Sequence, residues 1–102
     1  MAARDLGGVH IVTLEGELDI VSAVGLADAL VEAAGTFLVV DLSGLTFMDP
    51  SGISAFVVAR NRILADGLGQ FVVTRPSELV RTTLEIVGLS AWIVEWSPEW
   101  DE

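Results

Sequence analysis

The segment Asp41-Leu-Ser-Gly-Leu-Thr-Phe-Met-Asp-Pro-Ser-Gly-Ile53 gathers the side chains best able to do chemistry, two carboxylates and three hydroxyls between an apolar run and an amphipathic one. Asp49 followed by Pro50 has the form of a helix N-cap with proline in the first helical position, where a missing N–H is harmless. Ser51 then falls in the first turn with its hydroxyl outward, and Gly52 leaves backbone space beside it. Unpaired N–H groups and the macrodipole favour negative charge at such a helix mouth, while Asp49 opposes it. A phosphate on Ser51 would add about −1.5 to −2 charges, which any surface packed there would have to bury. Taken alone, a serine in a first turn is an ordinary capping or small-residue choice.

Other constellations point away from catalysis, so the chain is expected not to be an enzyme and to need no cofactor. Without lysine there is no P-loop, and no Gly-x-Gly-x-x-Gly follows the first apolar run. Asp41 ends an apolar run like a phosphoacceptor aspartate, but the acidic pair and lysine of such a site are missing. His10 is the only histidine and there is no cysteine, a poor basis for a metal site. A Ser-His-Asp triad would need His10, and Ser51 lacks the Gly-x-Ser-x-Gly elbow. Glu15, Glu17 and Asp19 cluster near one turn, as solvated acids commonly do. A small enzyme built on the Asp49/Ser51 loop stays open as a separate class of reading, tested by turnover without an added kinase.

The whole chain sets the limits on what can position this segment. Its 102 residues suit one domain. Apolar content is 52% and mean hydropathy is +0.62, yet no apolar run approaches the ~18–20 residues of a membrane span. The first eight residues lack the apolar stretch of a signal peptide. With no cysteine to suggest an oxidising compartment, the expected location is the cytoplasm. Fifteen acids against five arginines leave a net charge of −10. That balance repels nucleic acid and anionic membrane surfaces and suits a basic patch on another protein. It also serves solubility.

Apolar runs alternate with helical patterns. Val9–Leu14 reads as a strand, followed by a turn at Gly16-Glu17-Leu18-Asp19. Ser22 is a candidate N-cap for a helix to about Ala34, with Ala23, Leu26, Ala27, Leu30 and Ala33 on its buried stripe. Phe37–Leu42 suits a central strand, with a loop from Ser43 to Asp49. A second helix runs from Pro50 or Ser51 to Ala65, with Ile53, Phe56, Val57, Arg60 and Leu64 on one side. Gln70–Arg75 is the next strand, and Pro76-Ser77 opens a helix ending at Gly88 with Leu79, Val80, Thr83, Leu84 and Val87 inward. Ala91–Trp96 alternates as a last short strand that puts Trp92 and Trp96 on one face, there to cover the sheet, and Trp100 sits among acids. The fold class is therefore α/β, a mixed and mostly parallel sheet of about four strands with helices packed on it.

Val40-Asp-Leu-Ser-Gly-Leu-Thr-Phe-Met-Asp-Pro-Ser-Gly-Ile53 resembles the signature of STAS domains, in particular the anti-sigma factor antagonists. Gly16-Glu-Leu-Asp19, the glycine-led strand Gly67–Arg75 and Leu84-Glu-Ile-Val-Gly-Leu89 fall in the family's order. The resemblance covers about residues 8–96 of a single domain spanning 1–102, with 97–102 as a short acidic tail. It implies that Ser51 is the phosphoacceptor and that Glu17, Asp19, Asp49, Pro50, Gly52 and Ile53 share its partner-binding face. The implied partners are an anti-sigma factor that is also a serine kinase, and a phosphatase that resets the switch. The unphosphorylated protein would hold the kinase and free a sigma factor. The alternative is a scaffold docking on a transporter ATPase or a signalling assembly without phosphoregulation. Pro50 stands where the family often has a second serine. The short N-terminus leaves at most a few residues for the family's first edge strand, and the C-terminus little or no final helix.

Overall fold

The computed structural model describes residues 2–35, 37–67 and 69–95, and of Leu6 the backbone alone. The sequence opens with a hairpin. Strand β1 (Ala2–Leu6) runs antiparallel to β2 (Val9–Leu18), with Leu6 opposite Val9. The two-residue loop is Gly7-Gly8 with φ of 61° and 94°, the positive pair that a tight hairpin turn of the right twist requires. The Asp5 carboxylate accepts from the Gly8 N–H at 3.2 Å and steadies the turn. Among the described residues the sheet thus has five strands rather than about four. The short N-terminus is enough for an edge strand because a hairpin partner needs few residues and little apolar surface.

The remaining elements are α1 (Leu26–Ala33), β3 (Phe37–Met48), α2 (Pro50–Ala65), β4 (Gln70–Thr74), α3 (Glu78–Ile86), a 3₁₀ turn at Ser90–Trp92 and β5 (Ile93–Val94). Strand order is β1-β2-β3-β4-β5, and every pair after the first is parallel. Each crossover steps the same way along the sheet, so right-handed connections put the helices on one face. Burial follows. Val12, Leu14, Leu38, Val40, Phe71 and Val73 face a core filled by Leu30 of α1, Phe56 and Ile63 of α2, and Val80 and Leu84 of α3. No helix among the described residues is long and apolar enough to cross a membrane.

Five local expectations are corrected. The turn at Gly16–Asp19 and the loop after Leu42 are strand instead: β2 continues to Leu18 and β3 to Met48, paired through two register shifts. Such bulges absorb a glycine that would otherwise read as a turn. Helix α1 begins at Leu26, not Ser22, because the Ser22 hydroxyl is spent on the Glu17 carbonyl (2.8 Å) and Gly25 enters the helix at φ 78°. Helix α2 has the expected bounds and buries Phe56 as expected, but the rest of its buried face is Gly52, Ala55, Ala59 and Ile63, while Ile53, Val57 and Arg60 are half-buried and Leu64 is exposed. Three of the five buried residues are small, and at Gly52 the close approach of Leu18 requires it. On α3 only Val80 and Leu84 are buried, while Leu79 and Val87 stay exposed on this peripheral helix.

Near the C-terminus the chain makes the 3₁₀ turn before the two-residue β5, so Trp92 is not on a strand. Trp92 meets Phe71 edge-on at 5.9 Å and lies under the Arg60 guanidinium at 5.0 Å, packed against the core as expected. Trp96, Trp100 and the acidic tail lie outside the described residues.

The opposite sheet face carries a buried carboxylate, Asp41 on β3. Arg75, just past β4, donates to both of its oxygens, and the Ser43 N–H adds a bond at 2.9 Å. Burial pushes the Asp41 pKa up, but the hydrogen bonds from Arg75 and Ser43 outweigh it and leave it below its ordinary 3.8. Arg75 takes a left-handed φ of 52° to make this reach.

Candidate functional site

Asp49 is the junction between sheet and helix. Its N–H donates to the Leu18 carbonyl at 3.0 Å, which ties the end of β2 to the start of α2. Its carboxylate accepts from the Ser51 N–H at 2.9 Å and the Gly52 N–H at 3.3 Å, so it is the N-cap that the sequence predicts, with Pro50 in the first turn. Asp49→Ala is therefore expected to lower stability by about 1 kcal/mol, roughly 4–8 °C in Tm, and Asp49→Asn to retain most of it. Thermal melts of the two variants check this.

Ser51 follows, half-buried, with its side chain on a shallow groove of about 250 Å³ between the entry to α1 and the first turns of α2. Ala23, Gly25 and Asp28 line one wall, and Ser51, Ser54 and Val58 the other. Gly52 is required by space: a Cβ there would lie 2.6 Å from the Leu18 side chain and 3.1 Å from Met48. That close approach seats the Ser51 turn directly on the ends of β2 and β3.

Asp19 and Glu17 flank this turn but do different work. The Asp19 carboxylate curls into its own loop, accepting from the Val21 N–H at 3.0 Å, the Ser22 N–H at 2.9 Å and the Ser22 hydroxyl at 3.1 Å. The Ser22 backbone bond leads the effects that hold its pKa below the ordinary value. Glu17 is exposed, and its carbonyl anchors the Ser22 hydroxyl. Ile53 is half-buried and packs against the core. The structure thus brings together Asp49, Pro50, Ser51 and Gly52 with the end of the Gly-Glu-Leu-Asp segment.

Sequence reasoning missed the apolar surface beside them. Ile20, Val21 and Val24 are 70%, 78% and 81% exposed, and Val58 is 47% exposed across the groove. The signal was available. Val21 and Val24 fall outside the buried stripe of α1, and Gly25 sits where a helix entered from Ser22 would have its first turn.

A family model for the STAS domain matches residues 1–101. The chain belongs to the STAS domain family. Over 74 residues, 72% of its length, this STAS domain is 30% identical to the anti-sigma F factor antagonist of Lysinibacillus sphaericus, and it spans 62% of that relative. Its structure is similar to that of the anti-sigma factor antagonist SpoIIAA in its unphosphorylated form, with TM-score 0.81, 25% identity, and 98% and 90% of the two chains covered. It is also similar to the Bacillus cell fate determinant SpoIIAA in the phosphorylated form, with TM-score 0.64, 25% identity and 98% and 96% covered. In this STAS domain the sheet ends and the Asp49 cap converge on Ser51.

Proposed function

We propose that this STAS domain is an anti-sigma factor antagonist: unphosphorylated, it binds an anti-sigma factor that is also a serine kinase, and phosphorylation of Ser51 releases it. The observation that carries this reading is the placement of Ser51. Its side chain lines a groove, while its N–H is already satisfied by Asp49. A phosphate added there enters a surface that already holds the Asp49 carboxylate and, across the groove, Asp28, whose arginine partner Arg62 is already engaged. It therefore acts by making the surface harder to cover, not by building a new intramolecular contact. The kinase brings ATP and magnesium, a phosphatase restores the binding form, and the antagonist contributes shape and a hydroxyl.

The test is intact mass after incubation with ATP, magnesium and serine kinase anti-sigma factors from the same genome. A single gain of about 80 Da, absent in Ser51→Ala, is the expected result, with ~80 Da the mass of one phosphoryl group. Stable binding without the gain would instead leave an unregulated antagonist or a scaffold. Neither binding nor the gain would favour docking on a transporter ATPase or another signalling assembly.

A further inference from the structure

The segment Ile20–Gly25 joins β2 to α1, and a connection of this length needs no large aliphatic side chains. It nevertheless holds out three of them, Ile20, Val21 and Val24, each 70% exposed or more. The loop carrying them is braced from inside. Asp19 caps two of its N–H groups, the Ser22 hydroxyl donates to the Glu17 carbonyl at 2.8 Å, and the Ala23 N–H donates to the Asp19 carbonyl at 2.9 Å. A braced loop loses little conformational freedom on binding, so its apolar area converts efficiently into affinity. Val24 lies between Ala23 and Gly25, which line the Ser51 groove, and Val58 rises from α2 on the other side.

We propose that Ile20, Val21 and Val24, with Val58 across the groove, are the apolar anchor for the kinase partner, and that they take an aliphatic side chain from a partner segment flanked by arginine or lysine. This rests on the antagonist reading and adds to it which residues supply the affinity and what chemistry they select. Charge picks the occupant. Asp28 and Asp49 border the anchor, in a chain with net charge −10 and no lysine. Asp28 bonds Arg62 at 2.6 Å but remains 76% exposed, accessible to a second cation. A second copy of this chain would bring the same acids against these, and an anionic lipid surface would do likewise. A cationic protein segment is the complement. Because Ser51 and Val58 line one groove, with Val24 between two of its lining residues, a phosphate and an aliphatic side chain that reaches Val58 compete for one space, which joins the anchor to the switch.

The experiment is titration calorimetry of the full chain against the anti-sigma serine kinase that binds it, at low and high salt. It compares wild type with Val21→Ser/Val24→Ser and with the distant apolar pair Leu79→Ser/Ile86→Ser on α3. Weakening of at least tenfold for Val21→Ser/Val24→Ser at unchanged Tm is expected, with the α3 variant within twofold of wild type. Wild-type affinity should fall as salt rises. Binding of Val21→Ser/Val24→Ser within twofold of wild type overturns the anchor while leaving the antagonist reading intact, and salt-independent affinity overturns the cationic occupant. Failure of every such kinase to bind wild type removes the antagonist reading, and the anchor with it. Sedimentation showing a wild-type dimer that Val21→Ser/Val24→Ser dissolves would assign the surface to a second copy and also overturn the proposal.

Discussion

Ser51→Asp is expected to bind the anti-sigma kinase about 100-fold more weakly than wild type while melting within a few degrees of it. The loss corresponds to about 2.7 kcal/mol, and the surroundings of Ser51 are enough to produce it. The N–H groups that a new carboxylate would seek in the first turn, those of Ser51 and Gly52, already serve Asp49. The arginines of α2 are already engaged, Arg60 over Trp92 and Arg62 with Asp28 on the opposite wall of the groove. Arg60 is also nine residues along the helix from Ser51, about 13 Å at 1.5 Å per residue. A partner that seats an aliphatic side chain against Ser51 must then desolvate the new carboxylate without giving it an ion-pair partner, and an unpaired buried charge costs several kcal/mol. In the free protein the same carboxylate faces water near a helix N-terminus, where the dipole stabilises it by roughly 0.3–1 kcal/mol, so the fold keeps its stability. Ser51→Ala should bind like wild type and resist modification. Calorimetry and a thermal melt on the three proteins decide the matter. Wild-type affinity in Ser51→Asp would overturn release by charge. Phosphoserine carries more charge than aspartate, so the phosphorylated form should bind more weakly still.

The parts legible in the sequence were those fixed by local chemistry. Asp49-Pro50 announced the start of α2 because capping and the proline position depend on a few adjacent residues. Ser77 likewise caps α3 through the Val80 N–H, as the Pro76-Ser77 opening implies. What was not legible depended on partners distant in sequence. Gly16 and Gly44 look like turn residues, yet they lie in strands because β2 and β3 extend one another across bulges. The buried face of α2 could be set only in part from its own pattern: Phe56 was legible, but Gly52, Ala55 and Ala59 are smaller than Ile53, Val57 and Leu64, and at Gly52 the tight approach of Leu18 leaves no room for a Cβ. Ser22 had the right type for an N-cap and was claimed by the Glu17 carbonyl and Asp19 instead. That displacement left Ile20, Val21 and Val24 outside any helix and exposed beside Ser51. The site was thus half visible: its hydroxyl and cap in the motif, its apolar surface only once the loop was folded.

Arg75→Met is expected to destabilise the protein by about 3 kcal/mol at neutral pH, a fall of roughly 12–24 °C in Tm for a domain of this size. Asp41 is 2% exposed, and without the guanidinium its charge would keep the Ser43 N–H as its remaining described donor. Removing one member of a buried pair costs more than the pair is worth, because it strands the other charge. Asp41→Asn combined with Arg75→Met should therefore recover much of the loss, since neither side then carries a buried charge. The pH dependence gives a second, independent sign. Asp41 titrates below its ordinary 3.8 in the folded wild type, so its contribution is complete above the unfolded value and disappears as pH falls through the folded one. In Arg75→Met burial acts on Asp41 without the arginine to oppose it. Its carboxyl then takes up a proton more readily, and acidification relieves the strain. The stability gap between wild type and Arg75→Met should accordingly narrow below about pH 4, the ordinary aspartate range. Denaturant titrations at neutral pH and near pH 3 measure it. A gap that stays constant across that range would mean the loss comes from the packing of the Arg75 stem or from its left-handed backbone, and not from the stranded charge of Asp41.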